Sequence, residues 1–446
     1  MNMEDIAAAA LEHAQRAGAT AGDLLIATGE SFSAGVRLEK VEKVQQSQEK
    51  RMGLRLFVGS RSAMTSTADF TREALRSLVE ETVDLAKVTA EDQFSGLPAD
   101  EMFTNDLPEL DLYDSTTHLS PEEKIALAQE AESAALAIDK RIINSEGAEF
   151  SSGDHEVLYA NSRGFIGCYR TTSYSLTVIP VASENGTMQR DYWYSSHRKF
   201  NKLESPVAIG QKAAERTLRR LGARRVKTQE APVIFDPQMA ASLLRHLASA
   251  VSGSSLYRKT SFLLGRLGER IAANGVAITD DARIPTALGS KPFDGEGLPT
   301  RRTVVVEDGL LTSYLLDTYS ARKLGLQSTA SASRSFADAP VASTTNFFLQ
   351  PGPTPPETII SSVRSGLYVT ELSGFGVNPV TGDYSRGAVG LWIENGELAY
   401  PVEEITIAGN LLDMFNHIEA IGNDLELRST IAAPTLKIAR MTIAGE

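Results

Sequence analysis

Apolar and polar residues alternate along residues 141–180, and this period of two is typical of long β-strands. Within this segment, residues 156–160 and 165–179 flank the turn sequence Asn161-Ser162-Arg163-Gly164, so we expect an antiparallel hairpin. A helix is predicted just before it, because Ser120-Pro121-Glu122-Glu123 combines a serine cap, a proline at the first helical position and a glutamate that completes a capping box. Helix and antiparallel strand therefore occur together in this part of the chain.

The preceding segment also mixes helix and strand. Residues 3–17 have the spacing of an amphipathic helix, and residues 24–26 and 32–39 are predicted as two separate strands. A further hairpin is expected around Gly59-Ser60. Residues 91–118 are polar and broken by glycine and proline, which indicates a linker or an irregular surface connection.

The last half of the chain contains many short strand patterns separated by glycine. Residues 233–235 are predicted as a strand and residues 237–252 as a helix. Later, residues 388–394 and 398–400 flank the turn dipeptide Asn395-Gly396. Short strands at this spacing predict a sheet-rich or barrel-like domain.

These patterns predict an α+β fold, with a mixed α/β N-terminal part and a β-rich, barrel-like C-terminal part. We divide the chain into an N-terminal α/β domain (residues 1–110), a middle α/β domain with long antiparallel strands (residues 111–227) and a C-terminal β-rich domain (residues 228–446).

Charge and hydropathy exclude several classes of protein. Lys and Arg number 44 and Asp and Glu 57, which gives a net charge of −13. An acidic surface repels phosphate backbones, so no nucleic-acid partner is expected. No apolar run approaches the roughly 20 residues of a membrane helix, and the N-terminal sequence lacks the pattern of a secretory signal, so we expect a cytoplasmic protein with no membrane partner. One basic run at the end of a predicted helix is interpreted as a solvated surface: Arg216, Arg219, Arg220, Arg224, Arg225 and Lys227.

The residue types of common catalytic centres do not occur here at the usual spacings. Cys168 is the single cysteine, which excludes zinc sites built from two or more thiolates, and we expect it to be a buried or half-buried apolar residue. None of the six histidines lies four or five residues from another, as a helical zinc-binding pair would. No nucleophile elbow and no phosphate-binding loop is present. The residues alone therefore indicate no catalytic centre.

The least ordinary segment runs from Gly374 to Gly387. It contains four glycines, two of them at its ends, together with a proline and several short polar residues. One interpretation is a structured turn between strands. The other is a rim that offers backbone groups to an extended peptide by strand addition, since glycine permits close approach of another chain. Its candidate peptide-binding residues are Asn378, Thr381, Gly382, Asp383, Tyr384 and Ser385.

The same segment resembles the C-terminal region of TldD/TldE (PmbA) proteins, a family also labelled modulator of DNA gyrase. Three further pieces fit in the same order: Arg258-Lys259-Thr260-Ser261, Ile405-Thr406-Ile407-Ala408-Gly409-Asn410 and Ile421-Gly422-Asn423-Asp424. The resemblance extends over the length of the chain, and its specific motifs lie in the last half.

The resemblance implies two kinds of subunit, of which the TldD kind carries an H-E-x-x-x-H zinc motif before the Arg-Lys segment and a cysteine ligand near its C-terminus. Counting back from Arg258, the first histidine, the glutamate and the second histidine correspond to Arg245, His246 and Ala250. No cysteine follows Asp424. The zinc motif is therefore degenerate, and the chain resembles the metal-free TldE (PmbA) kind, with no catalytic and no metal-binding residue.

The function that the resemblance implies is that of a non-catalytic subunit. A TldD-like partner would hold the zinc, and the pair would cleave extended or unfolded peptides. The lone chain is also expected to be able to form a homodimer.

Two alternatives remain open at this stage. The chain could be an interaction or modulator protein without a peptidase role. It could also be an enzyme of unrelated chemistry that uses His246 with Arg258 or Glu269.

Overall fold

The computed structural model describes residues 2–104 and 106–446 of the chain. In the first half, helices alternate with long strands. The helices are α1 (Met3–Arg16), α2 (Arg72–Val88), α3 (Pro121–Leu136) and α4 (Pro206–Leu218). The strands are β1 (Ala21–Arg37), β2 (Lys40–Val58), β3 (Arg61–Thr67), β4 (Ile142–Asn161), β5 (Ile166–Glu184), β6 (Thr187–Arg190) and β7 (Trp193–His197).

Strands β1 to β7 form one sheet in the order β3-β2-β1-β4-β5-β6, with β7 paired to β5. Helices α1 and α2 pack with Leu24 and Ile26 of β1, and helices α3 and α4 lie in a second buried cluster with Val36 of the same strand. Even-numbered residues of a strand share one face, so the two helix pairs cover opposite ends of that face. The sheet continues across residue 110, and the domain boundary there stays a prediction.

One strand replaces the two that the sequence predicts between residues 24 and 39. β1 runs without interruption from Ala21 to Arg37. The polar and small residues at its centre remain extended because β2 and β4 pair with it on both edges, for example at Glu30, which faces Gln48 on one side and Asp154 on the other. Pairing between strands far apart in sequence overrides the weak local pattern.

The capping box at the start of α3 is present as the sequence predicts. The Glu123 backbone N–H donates to Ser120 Oγ (3.2 Å), and the Ser120 backbone N–H donates to Glu123 Oε2 (2.7 Å). Two N–H groups that the helix cannot pair internally are thereby satisfied.

The second half contains shorter elements. The helices are α5 (Pro237–Ala250), α6 (Gly253–Tyr257), α7 (Thr318–Leu324), α8 (Pro356–Ser361) and α9 (Leu411–Asn416). The strands are β8 (Gln229–Phe235), β9 (Ile278–Asp281), β10 (Arg302–Glu307), β11 (Leu310–Leu311), β12 (Ala332–Ser333), β13 (Val341–Ala342), β14 (Phe347–Leu349), β15 (Ser365–Val377), β16 (Asp383–Glu394), β17 (Glu397–Asn410), β18 (Ile418–Ile421), β19 (Ile431–Ala432) and β20 (Leu436–Ala444).

Five of these strands close into a barrel. They follow the order β17-β16-β15-β8-β20, and β17 also pairs with β20 at Ile407 and Ile443, which completes the circuit. A second sheet has the order β11-β10-β9-β14-β19. The predicted α+β class with a barrel-like C-terminal part is confirmed.

Helix α5 lies between the barrel and the second sheet. Its buried residues, among them Leu243, Leu244 and Leu247, belong to one large cluster with Phe235 of the barrel and Phe347 of the second sheet. The helix begins where Asp236 Oδ1 accepts a hydrogen bond from the Met239 backbone N–H (2.9 Å). Burial of the leucines fixes which face of α5 points outward.

The interpretation of the basic run after residue 215 as a solvated surface is wrong for its first members. Arg216 and Arg220 are buried. Arg216 contacts Asp191 Oδ2 through Nε (3.3 Å) and Asp236 Oδ2 through Nη1 (3.4 Å). These carboxylates come from distant segments and compensate a charge that would otherwise be costly to bury, so the run could not be placed from its own sequence.

Cys168 is exposed, and the expectation of a buried or half-buried residue is wrong. The alternation of apolar and polar residues predicted the strand that contains Cys168. It did not predict that the side of the sheet on which Cys168 lies is open to solvent. Partial desolvation and the neighbouring Glu156 carboxylate raise the pKa of the thiol to about 12, so it is protonated at neutral pH.

Between α2 and α3 the described residues are irregular, as predicted, apart from a short 3-10 turn at Asp100–Met102. It is nevertheless fixed to the C-terminal part. Arg322 of α7 donates to the backbone oxygens of Phe94 (3.1 Å) and Leu97 (2.7 Å). Along residues 2–104 and 106–446, no helix has the length and apolar content needed to cross a membrane.

Candidate functional site

The C-terminal half of α5 carries the three positions that the sequence places at the degenerate zinc motif. Arg245 is exposed, His246 is half-buried and Ala250 is buried. The neighbouring Leu243, Leu244 and Leu247 are buried in the large cluster, and α5 packs against β15 of the barrel.

A cavity of about 280 Å³ opens beside this part of the helix. Its lining residues are His246, Ser249, Ala250, Phe262, Gly374, Phe375, Val377, Pro379, Arg386 and Leu411. Most of this lining is apolar, and the basic groups are His246 and Arg386. The cavity has the chemical character of a site for an apolar side chain.

His246 is held without a hydrogen bond at one ring nitrogen. Its Nε2 is buried and has no partner among the residues that the structure describes. The ring lies edge-on to Tyr384, with 6.1 Å between the ring centroids. Burial and the positive charge of Arg386 lower the pKa of His246, so the imidazole is neutral at neutral pH.

The candidate peptide-binding residues lie in the β15–β16 hairpin. Asn378, Thr381 and Gly382 form the turn, and Asp383, Tyr384 and Ser385 begin β16. Gly382 has φ of +82°, a conformation that favours glycine.

Side chains of this turn bind one another. Thr381 Oγ1 donates to Asp383 Oδ2 (2.6 Å), and Asn410 Nδ2 donates to the Thr381 backbone oxygen (2.9 Å). The hydrogen bonds from Thr381 and Asn410 lower the pKa of Asp383. The geometry matches the structured-turn interpretation, in which these side chains stabilise the hairpin.

Tyr384 and Ser385 point in opposite directions. Tyr384 is 2% exposed and packs in the barrel core, and Ser385 is exposed. Burial raises the pKa of Tyr384, and its hydroxyl has no hydrogen-bond partner within the described part of the chain. Tyr384 is therefore part of the packing around His246.

Strand addition is possible at β15 and not at β16. β16 is hydrogen-bonded on one edge to β15 and on the other to β17, so its backbone is already paired. β15 pairs with β8 only from Leu367 to Val369. Beyond Val369, no described strand occupies that edge, and it includes Phe375, a fully exposed aromatic residue beside the cavity.

The comparisons with known proteins cover nearly the whole chain. Sequence models of PmbA/TldA metallopeptidases match it in three pieces: domain 1 at residues 22–86, the central domain at residues 114–221 and the C-terminal domain at residues 228–445. The chain belongs to the PmbA/TldD metallopeptidase family.

Curated relatives named PmbA and relatives named TldD are both similar to this chain. Metalloprotease PmbA of Escherichia coli O157:H7 is 40% identical over 415 residues, covering 93% of this chain and 90% of that protein. A metalloprotease TldD homolog of Haemophilus influenzae is 24% identical over 422 residues, covering 89% of this chain and 87% of that protein.

Solved structures of the family have the same fold. A Bacteroides thetaiotaomicron protein named for modulation of DNA gyrase superposes with a TM-score of 0.92 at 32% identity, over 99% of both chains. TldE of Thermococcus kodakarensis superposes with a TM-score of 0.89 at 21% identity, over 99% of this chain and 100% of that chain. The second likeness concerns the fold alone.

The zinc that a metallopeptidase family implies does not fit the residues at the motif positions of this PmbA/TldD member. Ala250 has no donor atom, and Arg245 carries a permanent positive charge. His246 is one ligand where a zinc site needs three from the protein. In residues 2–104 and 106–446, no group of three or more His, Cys, Asp or Glu side chains has the arrangement of a metal site.

Arg258 and Glu269 are not among the residues that line the cavity beside His246. The Arg258 guanidinium lies over the Tyr257 ring, and Glu269 forms an exposed ion pair with Arg266. The residues that surround His246 include Phe262 and Arg386. The sequence alone assigned no role to either residue. Arg386 lies inside the glycine-rich segment, and Phe262 directly follows the Arg-Lys-Thr-Ser motif. Their positions next to these motifs were the feature of the sequence that could have identified them as site residues.

Proposed function

We propose that this chain is a metal-free, non-catalytic subunit of a two-subunit PmbA/TldD-type peptidase. The partner is a TldD-like chain that holds zinc, and the substrate is an extended or unfolded peptide. The observation that carries the proposal is an intact family fold in which the three motif positions hold Arg245, His246 and Ala250, so that only His246 offers a metal-binding atom there.

The free edge of β15 supports a role in holding peptide. An extended segment that added to this edge would gain backbone hydrogen bonds, which need no particular sequence. Phe375 and the cavity beside His246 would accept one of its apolar side chains. The barrel thus supplies a peptide-binding wall without supplying chemistry.

The test is to purify the chain, measure bound zinc by elemental analysis and follow cleavage of an unstructured peptide with and without a co-expressed TldD-type subunit. We expect no stoichiometric zinc and no turnover in the lone chain, and turnover in the pair. Stoichiometric zinc with turnover in the lone chain, unchanged on adding the partner, would contradict the proposal.

The hydrogen bonds within the hairpin turn favour one alternative, a modulator that binds the partner without handling peptide. The cleavage assay with the co-expressed partner distinguishes the peptide-binding role from the modulator role when it is repeated with the variant Phe375→Ser. Loss of turnover supports peptide binding, and unchanged turnover supports the modulator. Met188→Ser is the matched control, because Met188 is also an exposed apolar residue, on β6.

A further inference from the structure

A second and larger cleft, of about 730 Å³, lies between α4 and the start of α5. We propose that it binds the C-terminal end of a peptide, with Arg219 receiving the terminal carboxylate and Gln238 the neighbouring amide group. This inference rests on the proposed peptide-handling function and assigns a second contact to it, at the opposite end of α5 from His246.

Arg219 offers an unused pair of donors. Its Nε and Nη2 atoms are buried, and neither has a hydrogen-bond partner among the described residues. These two nitrogens form one edge of the guanidinium, whose spacing matches the two oxygens of a carboxylate. The Asp191 carboxylate approaches Nη2 only to 3.9 Å, which is too far for a hydrogen bond.

The neighbouring Arg216 lies closer to the carboxylates of Asp191 and Asp236 than Arg219 does. Both terminal nitrogens of Arg216 lie 3.4 Å from Asp236 Oδ2, and its Nε lies 3.3 Å from Asp191 Oδ2. Arg216 is thus the nearest cation to both carboxylates, although its Nε and Asp191 Oδ2 form no hydrogen bond with each other. Desolvation and the charge of Arg216 lower the pKa of Arg219, so an added anion would be favourable there.

The side-chain amide of Gln238 offers one hydrogen-bond donor and one acceptor, which match the C=O and N–H of a peptide group. Its Oε1 and Nε2 atoms are both buried and have no hydrogen-bond partner within residues 2–104 and 106–446. A buried amide left in this state is costly, and a ligand with one N–H and one C=O satisfies both of its atoms. A peptide unit is such a ligand, and the last peptide unit of a chain lies next to the terminal carboxylate.

Aromatic side chains form another wall of the cleft. Trp193, Tyr194 and Tyr368 line it. The Arg428 guanidinium lies 4.4 Å from the centroid of the Trp193 ring, which holds that ring in place. These surfaces suit an aromatic or large apolar final residue.

The charge of the cleft favours a carboxylate over a phosphate. Six carboxylate residues line it against four basic ones, Lys212, Arg216, Arg219 and Arg428. The surplus negative charge opposes any anion, and it opposes a singly charged carboxylate less than a doubly charged phosphate.

The test compares one labelled peptide, Gly-Ser-Gly-Ala-Phe, as the free acid and as the C-terminal amide. Fluorescence anisotropy measures its binding to the purified full chain. We expect the free acid to bind at least about tenfold more tightly, because amidation removes a pair of charge-assisted hydrogen bonds. Arg219→Lys, which keeps the charge but not the paired donors, should abolish the difference, and Gln238→Leu should weaken both peptides.

Arg225→Lys is the control, because Arg225 lies in an exposed ion pair with Glu404 outside the cleft. Equal affinity for acid and amide, no binding of either, or a preference that survives Arg219→Lys would overturn the inference. Displacement of the peptide by inorganic phosphate but not by acetate would identify a phosphate site instead, and would also overturn it. These binding measurements use the lone chain, whereas the test of the proposed function measures turnover in the pair. Either test can therefore fail while the other succeeds.

Discussion

Two buried aspartates show how the partners of a carboxyl group decide its protonation. Burial opposes ionisation of Asp23, but Arg334 and Arg55 outweigh it and lower the pKa, with Arg334 Nη1 at 2.6 Å from Oδ1. Asp280 is bonded by the backbone N–H (2.7 Å) and hydroxyl (2.9 Å) of Thr345, and these bonds and the charge of Lys291 lower its pKa less than burial raises it. Burial therefore dominates and raises the pKa of Asp280 to about 6.

The raised pKa of Asp280 makes stability depend on pH. Between the unfolded pKa near 3.8 and the folded pKa of about 6, the folded chain holds a proton that the unfolded chain releases. The contribution of Asp280 is present at low pH and is lost as pH rises through this window, by about 3 kcal/mol for such a shift. We expect the difference in unfolding free energy between wild type and Asp280→Asn to fall by most of that amount between about pH 4 and about pH 7.

Urea denaturation at several pH values measures this difference. Asp84→Asn is the control, since Asp84 is an exposed carboxylate on α2 and its replacement should produce little change with pH. A difference for Asp280→Asn that stays constant over the window would show that Asp280 is ionised in the folded protein.

At the scale of single elements, helix ends are determined by residues adjacent in sequence. The cap residues Thr71, Ser120, Ser205 and Asp236 each accept a hydrogen bond from a backbone N–H of the first turn of their helix. Because the bonds are local, the starts of these helices do not depend on distant contacts.

The capping box of α3 has a measurable energetic value. Ser120→Ala removes the acceptor for the Glu123 N–H and should lower the free energy of unfolding by about 1 kcal/mol, within a usual range of about 0.5–2 kcal/mol. Chemical denaturation measures the change. Glu130→Ala, an exposed substitution in the middle of the same helix, should cost about 0.5 kcal/mol or less. Equal effects of the two substitutions would show that the cap does not stabilise the helix.

At the scale of the whole molecule, a buried ionic network joins the long sheet to the C-terminal part. Asp23 of β1 accepts hydrogen bonds from Arg55 Nε of β2 (3.1 Å), Tyr159 Oη of β4 (3.0 Å) and Arg334 Nη1, which follows β12. The Arg334 side chain is fully buried. Contacts of this kind couple the two halves of the chain, because neither side can leave an uncompensated charge in the interior.

Arg334→Ala should therefore be strongly destabilising. It leaves Asp23 buried with one guanidinium instead of two, and breaking a buried pair in this way costs about 3–5 kcal/mol. Thermal or chemical denaturation measures the loss. Arg225→Ala breaks an exposed pair with Glu404 and should cost about 0–1 kcal/mol. Similar losses for both variants would mean that the Asp23 network contributes no more than a surface ion pair.

The sequence by itself determined what depends on neighbouring residues. The cap residue Ser120 located the start of α3, the dipeptide Gly59-Ser60 located a hairpin, and strand patterns predicted the barrel-like end of an α+β fold. The amino acids at positions 245 and 250 excluded zinc ligands there directly, because the absence of a donor atom is a property of the residue and not of its surroundings.

Only the tertiary structure decided what depends on distant segments. It joined two predicted strands into β1 by pairing both of its edges, and it buried Arg216 beside Asp191 and Asp236. It turned Tyr384 inward under His246 and left the edge of β15 at Phe375 open. Burial and pairing are properties of contacts between residues far apart in the chain, and local sequence patterns carry little information about them.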